Sequence, residues 1–92
     1  MDILEQAAEK IIEEQEKIIG PIALEQAKKV PGLTVNLQKH EVKIEGDQKE
    51  ILQKLVEQYQ HLFGRASVEV CKDAVRNIIK QVPPDNVPSL IL

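Results

Sequence analysis

The sequence predicts a single α+β domain in which four helices pack with a two-stranded β-hairpin. Three observations point there. Apolar residues recur at helical spacing in four separate stretches, the period changes to two between residues 33 and 45, and no linker or repeat divides the chain. An all-α four-helix domain is the alternative if the period-two stretch forms no hairpin. The domain spans residues 1–82, and residues 83–92 form a proline-containing C-terminal tail. A chain of this length buries roughly 60–65% of its unfolded surface, so the core is thin.

Asp2 and Glu5 open the first helix as a capping box, in which Asp2 accepts from the amide of Glu5. Leu4, Ala7, Ala8, Ile11, Ile12, Ile18 and Ile19 then follow the helical rhythm. Gln15 interrupts that stripe and is expected at its margin; a buried residue fixing the register of a helix–helix contact is the alternative. Gly20-Pro21 ends the helix, because Pro21 cannot donate to the carbonyl four residues back. Proline suits a first helical position, so Pro21 starts a second helix that runs to Val30, where Pro31-Gly32 stops it.

Leu33, Val35 and Leu37 then alternate with polar residues, as do Val42 and Ile44. That is the pattern of two half-buried strands, with Gln38–Glu41 as the turn. Two strands alone are marginal in water, so their apolar face has to rest on helices or on another copy. Asp47 and Glu50 repeat the capping-box pattern before the cleanest stripe of the chain, Ile51, Leu52, Leu55, Val56, Tyr59, Leu62 and Phe63. Gly64 ends this helix. Ser67 is expected to cap a fourth, antiparallel to the third, with Cys71, Ala74, Val75, Ile78, Ile79 and Val82 inward.

Composition narrows the function classes. Tyr59 and Phe63 are the only aromatic residues, so the core is aliphatic and stacking platforms for bases are scarce. Residues 1–19 carry six acids against Lys10 and Lys17, a net −4 within a chain total of −3. Such an acidic first helix disfavours polyanion binding at that end. Cys71 is the single cysteine, no apolar run reaches membrane-span length, and the amphipathic start is unlike a signal peptide. The expected location is the cytoplasm.

No catalytic constellation, cofactor motif or metal-ligand spacing is legible. Cys71 lies in step with apolar residues and is expected to be buried. His40 falls in the predicted turn and His61 at the edge of the third helix. A metal site on either would require acids distant in sequence to converge on one histidine. The acids of the first helix read as a solvated face. Arg65, Lys72, Arg76 and Lys80 make a basic strip on the fourth helix, which supports a weak nucleic-acid-binding module as the second reading. The first reading is a protein–protein interaction or regulatory assembly module, through a protein partner or a homodimer. The unclosed hairpin and the long first helix are its expected surfaces. Leu90, Ile91 and Leu92 either fold back onto the core, the preferred reading, or serve as a docking tail.

The run Ile18-Ile19-Gly20-Pro21-Ile22-Ala23 resembles the helix–IGPIA–helix motif of small helical domains appended to bacterial signalling proteins such as serine/threonine kinases. The likeness covers residues 10–30. The chain as a whole is similar to small proteins common in cyanobacteria. The first resemblance implies a regulatory interaction domain; neither implies catalytic residues or a ligand.

Overall fold

A computed structural model describes all residues from Met1 to Leu92. Four helices and one antiparallel hairpin follow in the order α1 (Ile3–Ile19), α2 (Ile22–Ala27), β1 (Leu33–Asn36), β2 (Glu41–Ile44), α3 (Gln48–Phe63) and α4 (Arg65–Ile79). The fold is thus α+β. No helix is long and apolar enough to cross a membrane.

The start of α1 forms the full capping box: Asp2 accepts from the Glu5 amide, and the Glu5 carboxylate accepts from the Asp2 amide. At α3 only half of that arrangement is present, with Asp47 accepting from Glu50. Pro21 sits one position earlier than expected, as the cap of α2 rather than its first residue. That helix is also shorter than the spacing suggests, and residues 28–30 continue it as turns. Gly64 both ends α3 and caps α4, which therefore starts at Arg65, so Ser67 lies within the helix and is not its cap. Its φ of 77° suits glycine and lets the chain reverse within one residue.

The hairpin pairs Leu33 with Ile44 and Val35 with Val42. Leu37 does not extend β1; it opens a 3-10 turn, Leu37–Lys39, whose last amide is held by the Asn36 side chain at 3.2 Å. His40 then closes the connection in the left-handed region, φ 54°. Before the hairpin, Gly32 (φ 86°) is hemmed in: a Cβ there would lie 2.6 Å from the Glu45 carbonyl oxygen. Only glycine fits that approach.

One core of 22 buried apolar residues joins all six elements. The helix α1 is its hub. It packs most extensively on α4 and also touches α2, α3 and β2. Gln15 lies opposite Ser67 and Cys71, and Lys10 and Glu14 share a hollow with Ala74 and Asn77, so α1 and α4 run antiparallel. The α3–α4 pair read from the sequence exists, but α4 rests chiefly on α1.

Residues 83–92 do not stand apart from residues 1–82. Two 3-10 turns, Pro84–Asn86 and Ser89–Ile91, bring Val87, Pro88 and Ile91 into the core against α3 and α4. Polar bonds fix the return: Lys49 donates to the Asp85 carbonyl at 2.8 Å, and the Leu90 amide donates to Gln53 at 3.2 Å. Burying three apolar side chains contributes several kcal/mol at most, enough to order a short segment.

Candidate functional site

The side chains singled out in the sequence fall into three environments. Arg65, Arg76 and Lys80 are exposed and Lys72 is half-buried, on the side of α4 turned away from Cys71 and Val75. Arg76 pairs with Asp73, and exposed Glu69 interrupts the strip. Exposed pairs of this kind contribute little to stability. In the tail, Ile91 is buried and Leu90 partly so, which leaves Leu92 as its one fully presented apolar side chain. As a free docking segment, Leu90–Leu92 is therefore replaced by a folded-back turn.

A buried polar node occupies the α1–α4 seam. Gln15 is fully buried rather than marginal, and its amide nitrogen donates to the Ser67 carbonyl at 2.9 Å and the Ser67 hydroxyl at 3.0 Å. The Cys71 sulfur accepts from the same nitrogen at 3.4 Å. Burial pushes the Cys71 thiol up to about 11, with the Gln15 contact opposing it, so the group stays protonated and a poor nucleophile. Tyr59 is also buried, and its hydroxyl donates to the Ala23 carbonyl at 2.7 Å. Desolvation, then the charges of Cys71 and Glu16, hold its phenol far above the usual range. Both residues serve packing.

Beside that node the seam opens to solvent. A hollow of about 190 Å³ lies between the end of α1 and the start of α4, lined mainly by Ile18, Ile19, Phe63, Ala66 and Val70. It shares Ile18 and Val70 with a wider, more polar depression of about 470 Å³ that reaches Lys10, Glu14, Asp73 and Asn77. The two form one trough along the antiparallel pair. Ile18 is 63% exposed and Phe63 38%, although both belong to apolar stripes. Leu62 adds a further exposed side chain at this end of α3. Helical spacing announces such residues as core; Phe63 is instead the last residue of α3, where Gly64 turns the chain into α4, and it lines the hollow.

The hairpin contributes differently from expectation. The Val42 and Ile44 amides point away from β1, and they donate to the Met1 sulfur at 3.1 Å and to the Glu5 carboxylate at 2.8 Å. Side chains from the start of α1 thus close the β2 edge, which offers no ladder to another strand.

The same docking brings His40 over α1. Its Nδ1 lies 3.9 Å from Glu13 Oε1, and one donor atom from each of Glu9, Glu13 and His40 lies within 4.8 Å of the others. Glu9 and Glu13 share a helix face because they are four residues apart. Glu9 Oε2 is sealed from solvent and has no hydrogen-bond partner. Its desolvation, followed by the adjacent Glu13 carboxylate, holds Glu9 above the ordinary carboxylate range, with His40 opposing. The i, i+4 acids were visible in the sequence; the histidine 27 residues further on was not connected to them by any spacing rule.

Comparisons with protein families, with curated proteins and with solved structures found no match to this chain.

Proposed function

We propose that the protein is a protein-interaction module whose docking surface is the α1–α4 trough. The observation that carries this reading is the exposure of Ile18 and Phe63 around an apolar hollow, with exposed Leu62 at the same end of α3. Two antiparallel helices with an apolar trough between them suit a third amphipathic helix. The hollow accommodates one large aliphatic or aromatic anchor. Beyond it, Lys10, Glu14 and Asp73 favour polar and charged residues of both signs on the incoming helix.

The test compares the parent chain with Ile18→Glu, a change at an exposed position that leaves the core intact. Sedimentation over a wide concentration range asks whether the incoming helix belongs to a second copy. Parallel affinity captures from the native cell ask whether it belongs to another protein. The expected result is an association of either kind that Ile18→Glu abolishes and that Lys80→Glu, exposed beyond the trough, leaves unchanged. An association indifferent to Ile18→Glu, or one lost only with Lys80→Glu, overturns the assignment.

A further inference from the structure

We propose that Glu9, Glu13 and His40 form a binding site for a divalent first-row transition-metal ion, with zinc as its representative. The site lies on a flank of α1 other than the trough and does not depend on the interaction reading. Two features converge. The donors come from two separate elements, a helix face and the hairpin connection, and their ligating atoms already lie within 4.8 Å of one another. Four-coordinate zinc, with bonds of about 2.0–2.2 Å, sets donors about 3.4 Å apart, so the 3.9 Å gap between His40 Nδ1 and Glu13 Oε1 closes with small side-chain rotations. Glu9 Oε2 is solvent-inaccessible and unpartnered beside a second carboxylate, and a cation held between the two would relieve that repulsion, as a proton shared between them does in its absence.

The donor chemistry selects the class of ion. Calcium and magnesium take all-oxygen sets, whereas an imidazole nitrogen with two carboxylates suits zinc, cobalt or nickel. Three protein ligands would leave at least one position open to water or to a partner's side chain. The frame is held from outside the cluster. The Glu5 carboxylate fixes β2 to α1 through the Ile44 amide, and the Asn36 side chain holds the turn that precedes His40.

The experiment is calorimetric titration of the chain with zinc chloride, with thermal unfolding in parallel. The expected result is one zinc per chain and a raised midpoint, with magnesium chloride producing neither. His40→Asn is the decisive variant, because asparagine tolerates the left-handed backbone of that position and the connection keeps its shape. His40→Asn and Glu13→Gln are each expected to weaken zinc binding about tenfold or more. His61→Asn, at the exposed edge of α3, is expected to leave it unchanged. Circular dichroism establishes that the variants fold. Absence of zinc binding overturns the proposal, as does binding that survives His40→Asn or disappears with His61→Asn.

Discussion

The Glu5 carboxylate joins the start of α1 to the edge of β2: one oxygen accepts from the Asp2 amide at 3.0 Å and the other from the Ile44 amide at 2.8 Å. A single side chain therefore caps a helix and closes a sheet edge. Glu5→Ala removes both bonds and is expected to cost about 1.5–3 kcal/mol in urea unfolding. Glu5→Gln keeps one carbonyl oxygen for the two amides and should fall between. The alanine variant also uncovers the Ile44 amide, so light scattering at high concentration should rise relative to the parent.

Gln15 gives a second test, of whether the buried node is stabilising or only tolerated. Gln15→Ala leaves a void as well as removing the donor to Ser67, at an expected cost of about 2–4 kcal/mol. Gln15→Leu fills the space, and the Ser67 hydroxyl can turn to a carbonyl of its own helix. It should cost less than about 1.5 kcal/mol. Equal losses for the two variants in denaturant titrations would show that the hydrogen bonds outweigh the packing.

Alkaline pH should destabilise the fold in two steps. In the unfolded chain Cys71 ionises near its ordinary 9.0, whereas in the folded chain it holds its proton to about 11. Between those values the unfolded state has released the proton and the native state has not, so stability falls as pH rises. The expected loss from Cys71 is about 1.5 kcal/mol between pH 9 and 10.5. Tyr59, whose phenol is raised from 10.0 in the same direction, adds its loss above pH 10. In Cys71→Ala the first step should vanish and the second remain. Parallel profiles for the two proteins would remove Cys71 as the cause.

Gly32→Ala addresses the entry to the hairpin. The positive φ alone costs about 1–3 kcal/mol for alanine. The 2.6 Å approach to the Glu45 oxygen forces a backbone shift in addition. The change should lower the unfolding midpoint more than Gly64→Ala, where the φ is similar but no atom lies within 4 Å.

Much of the fold was legible because it rests on local rules. The capping box at Asp2, the stop at Gly20-Pro21, the period change after Gly32 and the reversal at Gly64 all express backbone preferences that a short window contains. What the window lacks is the partner of each face. Gln15 reads as marginal until Ser67 arrives from 52 residues away to satisfy its amide. Leu37 keeps the strand alternation but is diverted by the Asn36 cap. The fold-back of the tail was legible from its apolar residues, but not which of them enter the core: Val87 and Ile91 are buried, whereas Leu92 stays exposed. The Glu9–Glu13–His40 cluster was invisible for the same reason, since only the docking of β2 on α1 supplies the histidine.

The antiparallel packing of α1 on α4 has a consequence in time. Bonds such as Gln15 to Cys71 span 56 residues, so the apolar stripe of the first helix has no final resting place until the fourth has been made. Helical domains whose neighbours in space are neighbours in sequence close their cores quickly, and long-range pairing slows that closure. Refolding of this chain should accordingly be slower than its helical content suggests, and its rate should respond more to changes at the α1–α4 seam than to changes in the turns.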